Sequence, residues 1–408
     1  MNIVVQKFGG TSLKSDDGRN HAVQHVCNAV NEGKKVVVVV SAMGRKGDPY
    51  ATDTLLSLIT GNPTSISPKE TDLLMSCGEV ISSVVFSNLL KQKHLRSLAF
   101  TGAKAGFKTN TEHTNAKIVE MDCKNIIHAL EEMDVVVVAG FQGQSSDGEV
   151  TTLGRGGSDT SAAALGAALN AEFIDIFTDV EGVMTADPRI VEDARPLNVV
   201  TYNEICNMAY QGAKVIHPRA VEIAMQAKVP IRIRSTYSDH EGTLVTSAAG
   251  GGAGRDIEDR LITGIAHVSN VTQIKVLAPD GDYDFQSKIF KAMAEEQISV
   301  DFINISPRGV IYTINSALTD AAVKILNKLG YEADIQRNCA KVSAVGAGIA
   351  GVPGVTAKIV GALSEQGINI LQSADSHTTI WVLVREEDMI NAVNALHRVF
   401  KLERGDHI

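Results

Sequence analysis

The chain has 408 residues, of which 44% are hydrophobic and 21% are charged, which is enough for two or three globular domains of ~100–200 residues each. Its net charge of −9, without a block of lysines or arginines, argues against a nucleic-acid partner. We expect no secretory signal and no membrane span, because the apolar runs are shorter than the roughly 20 residues that cross a bilayer. Five scattered cysteines without a C-x-x-C spacing argue against a disulfide framework or a zinc site and favour a reducing cytoplasm.

The first part of the chain alternates strand-like and helix-like segments. Val36–Val40 and Val135–Ala139 are continuous β-branched runs, typical of strands buried on both faces of a parallel sheet. Ile174–Phe177 and Ile231–Ile233 predict further strands, and Thr71–Leu90 predicts a helix. The apolar face of this helix is predicted to comprise Leu73, Leu74, Cys77, Ile81 and Val84. We therefore predict an α/β domain with a largely parallel central sheet, ending near residue 245.

The sequence KFGGTS follows the first predicted strand, Ile3–Val5. Gly9 and Gly10 allow a sharp turn that presents backbone N–H groups, and Lys7 ahead of such a turn can lie along a phosphate chain. The alternative is a plain strand–turn–helix corner, since the pattern is not the G-x-x-x-x-G-K-[ST] loop.

The sequence GRGGSDTSAAAL, residues 154–165, predicts an anion site. Ser158 or Asp159 can cap the helix that follows the glycines, and a helix N-terminus attracts anions. Arg155 adds a fork-shaped donor suited to a carboxylate or a phosphate. A structural turn would not require an arginine among three glycines, so an anion site is favoured.

The sequence FTDVEGVMTADPR, residues 177–189, follows another predicted strand. Thr178, Asp179 and Arg189 could hold the sugar and phosphates of a nucleotide, because α/β proteins bind ligands at the carboxyl ends of parallel strands. The alternative is a solvated loop.

Two charged residues lie in apolar surroundings. In GAKVIHPRAVEIA, Lys214 lies two residues after Gly212, between two helical stretches, whereas His217 precedes a proline and is interpreted as structural. Glu79, in SCGEVIS, lies on an otherwise apolar helix face, where a carboxylate either sits at a rim or holds a substrate cation.

The C-terminal part contains an internal repeat with an offset of 70 residues. IFKAMAEEQISV (Ile289–Val300) aligns with IVGALSEQGINI (Ile359–Ile370), and both change from helical to strand periodicity at the same point. Each copy predicts a strand, a helix and two more strands, the last being Gly309–Asn315 in one copy and Thr378–Val384 in the other. Two small α+β units of the βαββ type are therefore predicted.

The predicted domain organisation follows from these patterns. Residues 1–245 form the α/β domain, and the Gly-rich stretch SAAGGGAGRD marks a flexible linker at 246–262. The first βαββ unit occupies 263–337 and the second occupies 338–408.

The stretch VGAGIAGVPG, residues 345–354, contains the G-x-G-x-x-G pattern of a dinucleotide-binding turn. The first copy of the repeat has VLAPDGDYDF at the same place, so the unit does not need the pattern to fold. Only 54 residues follow Gly354, too few for the two halves of a Rossmann domain. We predict that this stretch binds no dinucleotide.

Taken together, the motifs resemble those of one family. KFGGTS, VVVVVSAMG, SCGEVIS, GRGGSDTSAAAL, FTDVEGVMTADPR and GAKVIHPRAVEIA have the order and spacing of bacterial aspartate kinases, and the paired βαββ units resemble that family's two ACT domains. The resemblance is to the monofunctional form and covers almost the whole chain. It implies a three-layer amino-acid kinase domain followed by ACT-like regulatory units. It also implies a cytoplasmic enzyme that uses ATP and Mg²⁺ to convert L-aspartate to 4-phospho-L-aspartate, toward diaminopimelate, lysine, threonine and methionine.

The resemblance also implies residue roles. Lys7 and Lys214 would neutralise charge on the transferring phosphoryl group, positioned by Asp159. Arg155 would hold the substrate α-carboxylate and Glu79 its ammonium group. Further substrate contacts would be Ser41, Thr52 and Ser158, and the nucleotide contacts would be Lys7, Gly9, Gly10, Thr178, Asp179, Met184, Arg189 and Lys214. No side-chain metal site is implied, and a carboxylate nucleophile, ionised at neutral pH, needs no general base.

Regulation is implied by the ACT resemblance. It places an effector near Asp301 and near Asn369 with the backbone of Ile370, in a dimer joined through the ACT-like units. Lysine, threonine and diaminopimelate all remain candidates for the effector. Because no methionine lies between Met225 and Met293, we expect one full-length species without a separate regulatory subunit.

Two alternatives remain at this stage. The first is a catalytically inactive amino-acid sensor, against which Lys7, Arg155, Asp159 and Lys214 argue. The second is another enzyme of the same fold, such as glutamate 5-kinase or a nucleotide monophosphate kinase, over which the two ACT-like repeats and SCGEVIS favour aspartate kinase.

Overall fold

The structure is a computed structural model that describes residues 1–59, 65–213, 215–247, 261–279, 281–282, 284–347, 349 and 351–403. The chain divides into two compact units, which are described separately. The first comprises Met1–Val183, Pro196–Ala209 and Lys214–Ile257, and the second comprises Met184–Arg195, Tyr210–Ala213 and Glu258–Ile408. Most of the predicted linker falls at 248–260, outside the described residues.

The strands of the first unit form two sheets. In chain order they are β1 (Ile3–Phe8), β2 (Lys35–Val40), β3 (Ser97–Phe100), β4 (Phe107–Thr109), β5 (Ile118–Met121), β6 (Val135–Ala139), β7 (Gln142–Ser145), β8 (Val150–Thr152), β9 (Ile174–Thr178), β10 (Val199–Thr201), β11 (Ile231–Ser235) and β12 (Thr243–Thr246). The larger sheet has eight strands in the order β10-β12-β11-β9-β1-β2-β6-β3, and the smaller has the order β5-β4-β7-β8.

The helices of the first unit connect these strands. They are α1 (Gly10–Leu13), α2 (Asp16–Asn31), α3 (Thr52–Ser57), α4 (Pro68–Gln92), α5 (Gly102–Ala105), α6 (Lys124–Glu132), α7 (Gly157–Ala168), α8 (Tyr202–Tyr210) and α9 (Pro218–Ala227).

The centre of the larger sheet is parallel, as predicted. Strand β1 lies parallel to both β2 and β9, and β2 lies parallel to β6. All side chains of Val36–Val40 and Val135–Ala139 are fully buried, which explains why both runs lack a polar face. The chain leaves β1, β2 and β9 at the same edge of the sheet, so the loops after these strands lie close together.

Helix α4 differs from its predicted packing. The predicted apolar face is wrong, since Leu73 and Val84 are each 57% exposed. The buried face instead comprises Asp72, Met75, Ser76, Gly78, Glu79, Ser82, Ser83, Phe86, Ser87 and Leu90. Small side chains let this face of α4 pack closely against neighbouring elements. The hydroxyls of Ser76 and Ser83 donate to carbonyls of their own helix, so their burial leaves them with partners. By length and composition alone α4 could cross a bilayer. However, half of the residues in its most apolar 18-residue stretch are buried in the protein.

The second unit contains one antiparallel sheet of six strands in the order β14-β15-β13-β16-β18-β17. Its strands are β13 (Gly264–Leu277), β14 (Asp301–Ser306), β15 (Gly309–Asn315), β16 (Ala333–Val345), β17 (Gln372–Asp375) and β18 (Thr379–Arg385). Its helices are α10 (Phe285–Glu295), α11 (Thr319–Lys328), α12 (Val355–Glu365) and α13 (Met389–Val399). The repeat is confirmed, because α10 and α12, like β15 and β18, are 70 residues apart. Each copy also ends in a helix, α11 or α13, that the βαββ prediction missed.

The two copies share their first strands. The first half of β13, Gly264–Val268, pairs with the end of β16, and Ile265 belongs to the hydrophobic core of the second copy. The second half of β13 pairs with β15, and Ala333 and Ile335 at the start of β16 pack on the core of the first copy. The boundary predicted between residues 337 and 338 therefore falls inside a strand that serves both copies.

The segment Met184–Arg195 is also part of the second unit, which the sequence did not indicate. Ala186 and Val191 are buried in the same hydrophobic core as α12 and α13. The Thr185 hydroxyl lies 2.9 Å from His397 Nε2, and the Arg195 guanidinium donates to the Leu402 carbonyl at 3.0 Å.

Candidate active site

A cavity of about 790 Å³ opens in the first unit where the chain leaves its central strands. Lys7 comes from β1, the loop after β2 forms one wall, and the turn between β8 and α7 forms another. The lining residues are Lys7, Gly10, Ser41, Ala42, Gly44, Arg45, Lys46, Ala51, Thr52, Asp53, Leu56, Thr71, Met75, Glu79, Thr114, Phe141, Gly154, Arg155, Gly156, Gly157, Ser158 and Asp159.

The turn before α7 has a backbone that depends on glycine. Gly154 and Gly156 have φ angles of 72° and 67°, in the left-handed region that other residues adopt with strain. A Cβ atom on Gly156 would also lie 2.2 Å from His217 Cγ. This backbone exposes the Arg155 side chain at the cavity and places the N-terminus of α7 at the same space.

Lys7 and Asp159 form an ion pair inside the cavity. The Lys7 ammonium lies 2.8 Å from Asp159 Oδ1, and both side chains are more than four-fifths buried. Asp159 Oδ2 accepts the backbone N–H of His217 at 3.2 Å, and the His217 ring in turn caps α9 by accepting from Arg219 N. Burial lowers the pKa of His217, which suits this capping role. Asp159 therefore holds the Lys7 ammonium in place, whereas Lys214 lies outside the described residues.

Glu79 is a buried carboxyl group with one unused oxygen. Its Oε1 accepts the backbone N–H of Ala42 at 3.1 Å, and its Oε2 has no hydrogen-bond partner within the described part of the chain. Burial raises the pKa of Glu79 to about 8. A buried polar atom without a partner is costly, so a cavity-lining carboxylate of this kind is prepared for a cationic ligand.

Most of the residues predicted for the site meet in this cavity. Eight of them line it: Lys7, Gly10, Ser41, Thr52, Glu79, Arg155, Ser158 and Asp159. Gly9 lies just behind the lining, where a Cβ atom would be 3.4 Å from the Lys7 ammonium. Thr178 and Asp179 do not line the cavity, but Asp179 pairs at 3.7 Å with Arg45, which does.

The remaining predicted residues belong to the second unit. Met184 is half-buried, and the exposed Arg189 makes a two-pronged contact with Asp187 at 2.6 and 2.9 Å. For the effector residues, Asp301 pairs at 2.5 Å with the ammonium of Lys341, whereas Asn369 is exposed.

The two effector segments lie close together in the second unit. The Gln372 amide, three residues after Asn369, donates to the carbonyl of Phe302, the residue after Asp301. The Gln273 amide donates to the Gln372 side chain at 2.9 Å, so β13 holds this arrangement.

Sequence reasoning missed several lining residues. Phe141 has a φ angle of 68°, unusual for a bulky residue, and such strain is concentrated at functional sites. No sequence pattern marks it. Arg45 and Lys46 were detectable, because two cations follow the strand β2 at the edge where the other motifs converge.

The charges of the cavity favour a ligand with groups of both signs. Arg155, Lys7 and the α7 N-terminus suit anions, and Glu79 suits a cation. Carboxylate and phosphate oxygens are the ligands that Mg²⁺ prefers, and Asp159 and Asp53 line the cavity. Across the described ranges, no group of three or more His, Cys, Asp or Glu side chains has the arrangement of a metal site.

Models of known protein families match residues in both units. Residues 2–235 match the Amino acid kinase family, and residues 334–398 match an ACT domain. The chain is 66% identical over 404 residues to Aspartokinase 1 of Bacillus subtilis, a match that covers 99% of this chain and 100% of the relative. It is 39% identical to the aspartokinase of Geobacillus stearothermophilus, with 98% of both chains covered.

Solved structures of aspartokinases are also similar to this chain. The crystal structure of Escherichia coli aspartokinase III in complex with aspartate and ADP (R-state) is similar with a TM-score of 0.79 and 27% identity, covering 98% of this chain and 99% of that one. The same enzyme with lysine and aspartate (T-state) gives a TM-score of 0.75 and 28% identity, covering 97% and 99%.

Proposed function

The chain belongs to the aspartokinase family, and on that premise we propose which of its residues bind aspartate and which promote phosphoryl transfer. Its reaction transfers the γ-phosphoryl group of ATP, with Mg²⁺, to the side-chain carboxylate of L-aspartate. The high identity to a curated aspartokinase over its full length favours this activity over both the inactive sensor and glutamate 5-kinase.

The observation that carries the residue assignment is that Glu79 Oε2 has no partner among the residues that the structure describes. In our proposal the Glu79 carboxylate receives the substrate ammonium and Arg155 receives its α-carboxylate. Ser41, Thr52 and Ser158 line the same cavity and supply further polar contacts. A cation site at Glu79 and an anion site at Arg155 would orient the substrate, and in our proposal its side-chain carboxylate faces Lys7, which lines the same cavity.

The reaction then needs alignment and charge neutralisation. An oxygen of the substrate carboxylate forms a bond to the γ-phosphorus while the bond to the bridging oxygen breaks, and ADP leaves with the released electron pair. A carboxylate with a pKa of ~3.9 is already ionised at neutral pH, so no base is required. Mg²⁺, carried on the ATP phosphates, supplies part of the neutralising charge. Lys7, held by Asp159, supplies a positive charge next to the transferring group.

The nucleotide contacts are proposed from family resemblance. Gly9 and Gly10 present backbone N–H groups next to Lys7, and Thr178 and Asp179 extend from the end of β9. Lys214, Met184 and Arg189 complete the proposed set.

The pH dependence of aspartate binding tests the role of Glu79. Because burial raises its pKa to about 8, the carboxyl is mostly protonated at pH 7 and must lose a proton to bind an ammonium group. We expect KM for aspartate to fall about tenfold from pH 6 to pH 7 and about fivefold from pH 7 to pH 8, and to level off above pH 8. KM for ATP should not follow this course. Hydroxamate trapping of the acyl phosphate measures both.

The matched control is Glu79→Gln, which keeps the shape of the side chain and removes the titration. This variant should have a raised KM for aspartate that no longer changes with pH in this range. A wild-type KM for aspartate that is independent of pH, or a slope that persists in Glu79→Gln, would contradict the assignment.

Regulation is proposed for the second unit. Members of this family with ACT domains are allosteric, and we propose that a charged amino acid binds where Asp301, Asn369 and the backbone of Ile370 lie. The Gln372–Phe302 hydrogen bond supports a common site, since it links the two segments.

We also propose a homodimer joined through this unit, because β14 is an edge strand in which Ile303 and Ile305 are 48% and 55% exposed. The five free thiols support a cytoplasmic location.

An effector screen tests this regulatory proposal. Lysine, threonine and diaminopimelate are added one at a time to the full-length enzyme while the initial rate and the molar mass in solution are measured. We expect at least one of the three to inhibit, and the protein to be dimeric. Asp301→Ala should relieve that inhibition while the uninhibited rate is unchanged. A monomer that none of the three amino acids inhibits would contradict both parts.

A further inference from the structure

Asp72 is a carboxylate that contacts a residue of the cavity lining, Thr114, and that the proposed chemistry does not use. It lies on α4, two turns before Glu79, and is completely buried. Both of its oxygens accept the backbone N–H of Thr114 at 3.0 Å, and His113 Nδ1 lies 2.8 Å from Oδ2. The hydroxyl of Thr152 donates to Oδ1. A buried carboxylate is tolerated because such bonds compensate for its lost hydration.

These bonds join three chain segments around the Arg155 loop. Thr152 ends β8, and only Leu153 and Gly154 separate it from Arg155. Thr114 lines the cavity, and the residue after it, Asn115, packs so closely on Gly154 that a Cβ atom there would lie 2.6 Å from Asn115 Oδ1. Asp72 therefore fixes both the strand that leads into the loop and the segment against which the loop rests.

A second side chain, Arg219, holds the same two segments. The Arg219 guanidinium donates to the carbonyls of Leu153 and Ala116 at 3.2 and 3.3 Å. Asp72 and Arg219 together restrain the backbone before Arg155, although the Arg155 side chain itself is exposed.

We propose that Asp72 is a positioning residue for aspartate, which acts by fixing the loop from which Arg155 reaches the substrate. This rests on the proposed role of Arg155 as the α-carboxylate ligand. A two-pronged guanidinium–carboxylate contact depends strongly on orientation, and a displacement of about 1 Å at a substrate-positioning residue can cost on the order of 10²-fold in rate.

The test variant is Asp72→Asn, which keeps the shape and replaces one acceptor oxygen by an NH₂ group facing donors. We expect KM for aspartate to rise on the order of tenfold while KM for ATP changes less than about twofold. The double variant Asp72→Asn with Arg155→Lys should be less than additive in KM for aspartate, because both substitutions disturb one contact.

The matched control is Asp175→Asn. Asp175 is equally buried and accepts two hydrogen bonds from Arg232 at 2.7 and 2.9 Å, but it does not line the cavity. This variant should lower the melting temperature and leave both KM values unchanged. If Asp72→Asn does not fold, Thr152→Val removes one donor with little change of shape and should show the same selective rise, a few-fold in size.

The outcomes separate the two proposals. If Arg155→Lys raises KM for aspartate but Asp72→Asn only lowers the melting temperature, or raises both KM values equally, the positioning role is wrong and the site assignment stands. If Arg155→Lys leaves KM for aspartate unchanged, the assignment of Arg155 fails and the role of Asp72 fails with it. Fully additive effects in the double variant would also overturn the positioning role.

Discussion

Replacement of Lys7 by alanine is expected to lower kcat by about 10²–10³-fold while KM for aspartate changes only a few-fold. The Lys7 side chain is 13% exposed and its ammonium group lies 2.8 Å from Asp159, so its charge acts in a site with little water to screen it. An interaction that strengthens as charge develops on the transferring phosphoryl group affects kcat more than substrate binding. Initial rates by hydroxamate trapping, at saturating ATP and with the aspartate concentration varied, give both constants.

Lys14→Ala is the matched control for this variant. Lys14 is also a lysine near the start of the chain that pairs with an aspartate, Asp48, but its side chain is 58% exposed and does not line the cavity. Its removal should leave kcat within about twofold of wild type. Turnover of Lys7→Ala close to that of the control would exclude Lys7 from the phosphoryl-transfer step.

Arg155→Lys is expected to raise KM for aspartate about 10²-fold with a much smaller effect on KM for ATP. Lysine keeps the positive charge but not the planar fork that matches a carboxylate, and the turn formed by Gly154 and Gly156 gives the side chain a defined origin. Steady-state kinetics with each substrate varied in turn distinguish the two constants.

Arg96→Lys serves as the control for Arg155→Lys. Arg96 makes a two-pronged contact with Asp134 at 2.7 and 3.2 Å on the surface, and it does not line the cavity. Both KM values should stay at wild-type levels. A larger loss of affinity for ATP than for aspartate in Arg155→Lys would assign Arg155 to the nucleotide instead, and the proposed orientation of the substrate would be reversed.

Much of the site could be predicted because its residues follow parallel strands. Lys7, Ser41 and Asp179 come at or after the ends of three neighbouring strands, and a parallel sheet brings such ends to one edge. The glycines around Arg155 are a local signal, and the positive φ angles of Gly154 and Gly156 show why the turn needs them. The buried face of α4 could not be predicted by hydrophobicity, because it is rich in serine and carries two carboxylates.

Long-range contacts account for most of what the sequence did not indicate. Ala186 and Val191 lie in a segment with few strong propensities, and the core that buries them is formed by residues after position 260. The role of Asp72 depends on Thr114 and Thr152, which are 42 and 80 residues away. No local pattern reports contacts of this kind, so only the folded structure shows them.

The shared strands β13 and β16 bear on how the repeat arose. Each 70-residue copy completes its sheet with a strand segment that belongs to the other copy, as Ile265 and Ile335 show by packing in the opposite cores. A single ancestral copy would have lacked the same strand segment in its sheet. A second polypeptide with the same sequence could have supplied that segment. Gene duplication with fusion would then have converted an exchange between two chains into a permanent bond within one. On this view evolution duplicated a single copy, but only the pair of copies can fold.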